Sequence, residues 1–532
     1  MKTALAKICL FASCIVAVPN LPGQAQLSLD LIIEGGRVAD GTGAPWYIAD
    51  VGIRGDSIAA LGNLTGATAR RRIRVNGLVV APGFIDVHSH AARFLPVNPT
   101  LESHIRQGVT SVIEGPDGGG PVPVAPALAK LTEIRPSINF GYYSGHNSVR
   151  TKVMGLVNRP ATPEQMAQMK ALVRQDMLDG AFGLATGLFY VPGNYASTEE
   201  VIELAKVAAP LGGMHISHMR DEAANIVTSV KETIRIGEEA GLPTQISHHK
   251  IIGKQNWGLS GDTLRLVAEA RQRGIDVTID QYPYTASSTG TGAMFPQWSL
   301  EGGSSALRER LKAPESRARI KLEIERRIRE DRGGGDPVNV QFARCEWDHS
   351  LDGRTLADAT AARGLPVSIA NAAEVAMDIQ AKGGCSAIYH AISDDDLIRI
   401  MQAPWTMIAS DGEAPVFGQA SPHPRAYGTF PRVLGRYVRE RKVLMLEDAV
   451  RRMTSLPAAR LKLTDRGVIR PGLKADIIVF NPATIIDRSD YAKPHQYSEG
   501  VVAMLVNGVV VMDEGKLTGE RPGKALLGPG KQ

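Results

Sequence analysis

Two motifs that would identify common enzyme classes are absent from this 532-residue sequence. There is no G-x-S-x-G nucleophile elbow and no G-x-x-x-x-G-K-S/T loop, which argues against an α/β serine hydrolase and a P-loop nucleotide-binding protein. Basic and acidic residues nearly balance, at 60 and 55, and no basic stripe is interleaved with aromatic residues. Nucleic acid is therefore not an expected partner.

Cysteine is also scarce, with four residues in the whole chain. Cys9 and Cys14 fall within a predicted signal peptide, so Cys345 and Cys385 remain. Neither of these lies in a C-x-x-C motif, which argues against a thiolate zinc site. They either pair in an oxidising compartment or stay as buried free thiols.

Residues 1–25 have the pattern of a secretory signal peptide. Lys2 and Lys7 flank the start of a short apolar run, and Gly23-Gln24-Ala25 supplies small residues for cleavage. The run is too short for a membrane span, and no later segment is a candidate for one. We therefore expect a periplasmic or secreted protein whose mature chain has no membrane span.

The two ends of the remaining chain share a pattern of short β-rich runs separated by turns. Residues 26–82 and residues 466–532 both show it, and we interpret them as two halves of one small β-sandwich domain. Two unrelated β-caps are the alternative. Between them, residues 83–465 alternate strand-like and helix-like segments, which is the pattern of parallel βαβ units.

This central region contains eight strand candidates and therefore predicts an α/β fold of the (β/α)8 TIM barrel type. The candidates are residues 83–87, 109–113, 138–144, 182–186, 213–217, 243–247, 275–279 and 406–410. An insertion at about residues 286–400 breaks the spacing after the seventh strand. Since insertions after barrel strands lie over the active face, we predict a lid or substrate subdomain there.

Histidine and aspartate residues follow several of these strands, and a barrel brings such residues together. His88 and His90 are two apart on a strand, so both side chains point the same way and can reach one ion. Asp411 ends the eighth strand, where a carboxylate can bind metal and accept a proton from water. Buried core histidines and an N-cap aspartate are the alternatives. Converging imidazoles and carboxylates favour a metal hydrolase, with zinc as the expected ion.

The alternation of side chains along a strand indicates which of the other histidines can face the barrel axis. His218 ends the fifth strand and is a better ligand than His215, which points to the opposite side. His248 and His249 are adjacent and diverge, so only one of them can face the barrel axis, and His248 has the appropriate parity.

The fourth strand carries no lysine that could be carboxylated to bridge two ions. Two acidic residues after the second strand, Glu114 and Asp117, are the available bridging carboxylates. Asp117 lies in a Pro-Asp-Gly sequence, which is also ordinary turn chemistry. Its position after a barrel strand is the reason to include it among the metal-ligand candidates.

Taken together, these residues resemble the amidohydrolase superfamily and, more narrowly, the N-acyl-D-amino-acid deacylase (D-aminoacylase) family. The resemblance extends over nearly the whole chain after the signal peptide. It is carried by residues 82–90 (PGFIDVHSH), 145–150 (GHNSVR), 218–222 (HMRDE), 246–250 (ISHHK), 282–288 (YPYTASS) and 410–412 (SDG).

The resemblance implies a role for each metal-ligand candidate. His88, His90 and Asp411 would hold the weaker metal site, with Asp411 as general base and then general acid. His218 and His248 would hold the tighter zinc ion. The family has a cysteine as the third ligand of that ion, where this chain has Asp117. An oxygen ligand suits harder divalent ions better than a thiolate does, so the metal is one or two zinc ions or another divalent metal.

The resemblance also implies that cationic and hydroxyl groups bind the substrate carboxylate. The matching residues are Lys250, Tyr190, Tyr282, Ser288 and Arg425. A guanidinium can form a bidentate pair with a carboxylate, and an ammonium adds a point charge.

The sequence thus predicts metal-dependent hydrolysis of the amide bond of N-acyl amino acids, which are small-molecule substrates. The D configuration follows from the resemblance alone. The alternatives are an amidohydrolase acting on a cyclic amide or small dipeptide, and a catalytically inactive periplasmic binding protein.

Overall fold

The computed structural model of the protein describes residues 28–531. The predicted signal peptide, residues 1–25, lies outside the described residues. Within the described range, no helix combines the length and the apolar character needed to cross a membrane.

The described chain begins with strands rich in β-branched residues, which favour pleated, half-buried surfaces. They are β1 (Ser28–Val38), β2 (Tyr47–Arg54), β3 (Ser57–Gly62), β4 (Thr68–Arg74) and β5 (Val79–Pro82).

Strands alternating with helices follow. They are β6 (Phe84–Ser89), α1 (Glu102–Ile105), β7 (Val109–Glu114), α2 (Ala125–Ile134), β8 (Asn139–Tyr142), β9 (Ser144–Gly145), α3 (His146–Met154), α4 (Pro163–Asp179), β10 (Gly183–Gly187), α5 (Thr198–Ala208), β11 (Met214–His218), α6 (Ile226–Ala240), β12 (Thr244–Ile246), α7 (Ser260–Gln272) and β13 (Val277–Gln281). Local sequence sets their ends: Thr162 and Ser197 cap α4 and α5 by accepting hydrogen bonds from backbone N–H groups.

The insertion comprises β14 (Ser287–Gly290), α8 (Gly303–Lys312), α9 (Pro314–Glu330), β15 (Val340–Arg344), α10 (Leu356–Ala361), α11 (Ile369–Ala381) and β16 (Ser386–Tyr389). After it come α12 (Asp394–Gln402), β17 (Thr406–Ile408), α13 (Arg425–Arg432), a π-helix (Val433–Glu440), α14 (Leu446–Met453) and α15 (Ser455–Arg460). The last strands are β18 (Ile477–Phe480), β19 (Val501–Val506), β20 (Val509–Asp513) and β21 (Lys516–Leu517).

Parallel strands from β6 to β17 close into a barrel. β6, β7 and β8 pair in order, β9 continues from β8 after one residue, and β9, β10, β11, β12, β13 and β17 complete the order. The ring closes where Ser89 bridges to Gly412 and the Asp411 N–H donates to the His88 carbonyl at 2.9 Å. The predicted (β/α)8 barrel is confirmed, and the carboxyl ends of its strands meet on one face.

The two ends of the chain form one domain beside the barrel. β18 pairs with β5, and β5 pairs with β1, so all nine terminal strands belong to a single continuous sheet. Ile33 and Val51 from the first half share a buried cluster with Ile477 and Leu505 from the second. The strands are thus joined rather than forming two unrelated caps, and they meet in one sheet.

The insertion has its own hydrophobic core. β14, β16 and β15 form an antiparallel sheet in that order. Ile320, Ile324 and Ile328 recur at four-residue spacing along α9 and are fully buried with Phe342 of β15. Cys345 and Cys385 form a disulfide in this core, with their Cα atoms 4.4 Å apart. The structure therefore selects pairing over two free thiols.

The disulfide yields a stability prediction. We expect the Cys345→Ala/Cys385→Ala variant to melt at a lower temperature than the oxidised wild type, because the cross-link restricts the unfolded chain, typically by about 2–4 kcal/mol. Thermal unfolding with and without a thiol reductant measures this. Reductant should lower the melting temperature of the wild type only; an equal effect on both proteins would contradict the prediction.

Candidate active site

Asp117 lies at the centre of the site, after β7. It belongs to a loop in which Gly115, Asp117 and Gly118 all have positive φ, at 79°, 56° and 76°. Only glycine adopts such angles without strain, so the single aspartate is a strained exception. Asn147 of α3 lies against this loop, and a Cβ on Gly118 would come within 2.1 Å of its Oδ1 atom.

The two carboxylate oxygens of Asp117 face different histidine pairs. Oδ2 lies 3.5 Å from Nε2 of both His88 and His90. Oδ1 lies 3.5 Å from Nδ1 of His218 and 3.4 Å from Nε2 of His248. One carboxylate therefore joins two groups of nitrogen ligands, as a bridging residue would.

Asp411 completes the first of these groups. Its Oδ1 atom lies 3.4 Å from Nε2 of His88 and 3.1 Å from Nε2 of His90. The ligand atoms of His88, His90, Asp117 and Asp411 all lie within 4.8 Å of one another, and so do those of Asp117, His218 and His248. All six predicted metal ligands thus lie close together. The two groups match those that the resemblance implies, except that Asp117 belongs to both of them.

The donor set fits divalent metal. Nε2 of His88 and Oδ1 of Asp117 are buried without a hydrogen-bond partner among the described residues. Buried polar atoms of this kind are costly unless a ligand satisfies them. Imidazole and carboxylate donors are those that zinc and comparable divalent ions prefer.

The carboxylates and imidazoles of the site shift each other's pKa values. Burial alone would raise the pKa of Asp117, but the His88 and His248 imidazoles hold it well below its ordinary value. Burial alone would lower the pKa of His90, but the carboxylates of Asp117 and Asp411 outweigh it and raise that pKa to about 9. The carboxylates of Asp117 and Asp411 therefore favour positive charge next to His88 and His90, and a divalent ion would supply it.

Backbone geometry positions two further ligands. His248 and Asp411 have positive φ, at 32° and 49°. The His248 N–H donates to Oδ1 of Asp280 at 2.7 Å, and the Ser410 N–H donates to Oδ1 of Asp86 at 3.0 Å. Buried acidic side chains of the barrel thus hold the strand ends in conformations that are otherwise unfavourable.

The remaining histidines of the two pairs lie outside the site. His215 lies between the hydroxyl groups of Thr186 and Thr244, at 3.0 and 2.9 Å. His249 contacts the Thr263 hydroxyl of α7 at 2.8 Å. Glu114 lines the cavity but belongs to neither ligand group, and its Oε1 atom accepts a hydrogen bond from the Ala91 N–H. The side-chain parity of the strands predicted these histidine positions.

The predicted substrate-binding residues line a cavity of about 760 Å³ next to the ligand groups. The guanidinium of Arg425 donates to Oδ2 of Asp411 at 2.6 Å and lies 4.9 Å from the Tyr282 ring centroid. Its Nη2 atom is 3.4 Å from the Ser288 carbonyl. The Tyr190 ring lies 4.6 Å from the His218 ring.

Lys250 also lines the cavity, but its partner was missed in the sequence. Its Nζ atom is 2.5 Å from Oε1 of Glu222 and 2.9 Å from Nδ1 of His248. Glu222 is buried, and its Oε2 atom lies 3.6 Å from Nε2 of His218. The spacing of four between His218 and Glu222 was the available signal, although β11 ends at His218 and no helix connects the two.

The sequence assigned no role to Asp280 or Arg332. Asp280 lies near the end of the seventh barrel strand, 3.5 Å from Nδ1 of His88, and so orients the His88 side chain. Arg332 enters the cavity from the insertion and has no motif, because its position depends on contacts between distant parts of the chain.

Comparison with known proteins agrees with this geometry. The model of the Amidohydrolase family matches residues 75–512. The chain belongs to the amidohydrolase family. The resemblance inferred from the motifs is therefore confirmed.

Two relatives and one solved structure cover nearly the whole of this amidohydrolase. A D-aminoacylase of Alcaligenes xylosoxydans xylosoxydans is 36% identical over 520 residues, covering 93% of this chain and 97% of the relative. An N-acyl-D-glutamate deacylase of the same organism is 37% identical over 524 residues, covering 94% and 97%. The crystal structure of N-acyl-D-glutamate deacylase from Bordetella bronchiseptica, complexed with zinc and a phosphonate inhibitor, is 34% identical with a TM-score of 0.80, covering 94% and 100%.

The bridging position of Asp117 leads to a prediction about metal binding. We expect Asp117→Asn to bind less metal than the wild type, since it removes the negative charge that faces all four imidazoles. Asp117→Cys should bind metal with a shift toward zinc over manganese, because a thiolate is the softer ligand.

Metal content after dialysis against equal concentrations of the two ions measures both effects. Glu114→Gln is the matched control, because Glu114 is a buried carboxylate of the same strand end outside both ligand groups. Unchanged metal content in Asp117→Asn would remove Asp117 from the centre.

Proposed function

We propose that this amidohydrolase hydrolyses the amide bond of N-acyl-D-amino acids and releases a carboxylate and a free D-amino acid. The observation that carries the proposal is the position of Asp411, whose two oxygens face the His88–His90 pair and Arg425. A proton acceptor thus lies beside both a metal-ligand group and a cation suited to a carboxylate. The D configuration is supported by the names of the relatives.

His88, His90, Asp117, His218, His248 and Asp411 would hold one or two divalent ions, with zinc as the expected metal. A bound ion of this kind polarises a carbonyl group and lowers the pKa of water from 15.7 to about 7 in the best cases.

Asp411 acts as the proton-transfer residue. Burial opposes it, but Arg425 and His88 hold the pKa of Asp411 well below its ordinary value, so it is a carboxylate at neutral pH. It accepts the proton of the attacking water and returns it to the leaving amine. Both transfers take place at the wall of the cavity, where Asp411 is 5% exposed.

Arg425 and Tyr282 bind the substrate carboxylate. The Tyr282 hydroxyl is buried and has no hydrogen-bond partner among residues 28–531, and burial keeps its pKa well above the ordinary value. It is therefore a free donor. A substrate carboxylate that pairs with Arg425 shares the cation now paired with Asp411, which makes Asp411 a stronger base as the substrate binds.

We also propose that the protein works outside the cytoplasm, in the periplasm or as a secreted enzyme. Two features support this: the signal-like residues 1–25 and the Cys345–Cys385 disulfide, a bond that persists in oxidising compartments.

A substrate screen tests the function. We expect turnover of N-acetyl-D-amino acids and little turnover of the L enantiomers, with metal content measured on the same sample. Asp411→Asn should lower kcat by about 10²- to 10⁴-fold while it keeps its metal, because the amide cannot accept the proton. Absence of hydrolysis in the metal-loaded wild type would refute the proposal, and undiminished turnover in Asp411→Asn would remove its acid–base role.

The Arg425–Asp411 pair predicts a change in pH dependence. Removing the cation in Arg425→Met raises the pKa of Asp411, so the carboxylate is protonated at higher pH. The acidic limb of the kcat/KM profile, which reports groups of the free enzyme, should therefore move to higher pH.

Arg93→Met provides the control, because Arg93 also lines the cavity but pairs with Glu413, at 2.8 Å. Its acidic limb should match that of the wild type. An unshifted limb in Arg425→Met would show that this pair does not set the acidity of Asp411.

A further inference from the structure

The cations that line the cavity differ in one respect, which is whether they have a carboxylate partner. Arg93 pairs with Glu413, Arg344 with Glu346, and Arg425 with Asp411, at 2.8, 2.8 and 2.6 Å. Lys250 pairs with Glu222. Arg332 is the exception within the part of the chain that the structure describes, since no side-chain ion pair or hydrogen bond is found for it and its Nε atom is buried without a partner.

Arg332 is nevertheless deeply buried, with 4% of its surface exposed. Burial alone would lower the pKa of the Arg332 guanidinium, but the charges of Asp331 and Glu222, which form no ion pair with it, raise that pKa. Burying a charge that has no direct partner is unfavourable. Two aromatic rings offset part of this cost, because the guanidinium carbon lies 4.8 Å from the Phe189 ring centroid and 5.7 Å from that of Tyr389. Stacking leaves the edge of a guanidinium, with its N–H donors, available to another group.

The nearest carboxylate in sequence is already engaged elsewhere. Asp331 accepts a hydrogen bond from Nη1 of Arg327, one turn earlier at the end of α9, at 3.1 Å. The Arg332 backbone N–H donates to the Arg327 carbonyl at 2.7 Å, which fixes the main chain at this point. The backbone hydrogen bond therefore fixes the main chain of Arg332, and the two aromatic rings fix its guanidinium, which lines the cavity.

Phe189 lies between Arg332 and the metal-ligand candidates. The Phe189 ring contacts the Arg332 guanidinium and lies 5.7 Å from the His218 ring. Arg425, in contrast, contacts Asp411 in the other ligand group. The two cations thus lie next to different halves of the centre and line the same cavity.

We propose that Arg332 forms a subsite for a second carboxylate of the substrate, on the wall that the insertion contributes to the cavity. This inference rests on the function proposed above and makes the preferred substrates dicarboxylates. The second carboxylate belongs either to the amino-acid side chain or to the acyl group. A buried guanidinium with free donors binds either one by the same charge-assisted hydrogen bonds.

Kinetics of Arg332→Met with matched substrates test the subsite. N-acetyl-D-glutamate and its neutral isostere N-acetyl-D-glutamine vary the side chain, whereas N-succinyl-D-leucine and N-butyryl-D-leucine vary the acyl group. We expect kcat/KM for the acidic member of one pair to fall by roughly 10- to 100-fold, mainly through KM, because a hydrogen-bonded charge is lost. The neutral members should change little, and the affected pair identifies the source of the carboxylate.

Arg344→Met is the matched control, because Arg344 comes from the same insertion and lines the same cavity but already pairs with Glu346. It should not discriminate between acidic and neutral substrates. Arg332→Lys should recover part of the selectivity, since it keeps the charge and loses the fork of donors.

Two results would overturn the subsite. An equal loss of turnover for acidic and neutral substrates would assign Arg332 to the packing of Phe189 and Tyr389 alone, and a lower melting temperature would accompany it. Unchanged kinetics for both pairs would show that no carboxylate reaches it.

Failure of the proposed function is distinguishable from failure of the subsite. If the metal-loaded wild type hydrolyses none of these substrates, calorimetry with glutarate decides the question. Binding to the wild type that is weakened at least 10-fold in Arg332→Met supports the subsite, and equal affinity or no binding in both proteins refutes it.

Discussion

The carboxylate of Asp117 links the two halves of the site. Each of its oxygens lies close to one pair of imidazoles, at 3.4–3.5 Å, so one side chain sets the separation of the two ligand groups. A cysteine in this position would offer a single sulfur atom to both groups. Aspartate in place of the cysteine that the resemblance implies therefore changes how the two ligand groups are joined, as well as the hardness of the ligand.

Holding one carboxylate among four imidazoles requires a rigid loop, and the barrel provides it. The Asn147 amide group donates to the Gly187 carbonyl and accepts from the Gly187 N–H, at 3.0 and 3.1 Å, which ties α3 to the end of β10. A Cβ on Gly187 would lie 2.0 Å from the Asp117 carbonyl. Small residues at these strand ends thus let the Asp117 loop approach the barrel closely, which explains the 145–150 motif in structural terms.

The sequence predicted what depends on local periodicity and missed what depends on distant contacts. Strand parity separated His218 from His215, and the succession of strands and helices predicted the barrel. The metal-ligand candidates at the ends of regular strands could therefore be predicted from the sequence. Glu222 was missed although it follows His218 by only four residues, because the loop after β11 has no regular periodicity from which its direction can be read. Asp280 was missed because its role arises only when the barrel places β13 beside His88. The sequence also could not decide whether Cys345 and Cys385 pair, because these cysteines are 40 residues apart.

The fold also separates the chemistry from the recognition of substrate. All six ligand candidates lie within or just after the carboxyl ends of barrel strands, whereas Ser288 and Arg332 come from the insertion, which has its own hydrophobic core. The disulfide joins the end of β15 to the segment before β16, and Cys385 itself lines the cavity with Gly383 and Gly384. Sequence changes in the insertion can therefore alter the charge of the cavity wall while the barrel keeps the ligand geometry constant. A second carboxylate would be selected on the wall that the disulfide and the insertion core hold in place, and Phe189, which belongs to that core, connects this wall to His218.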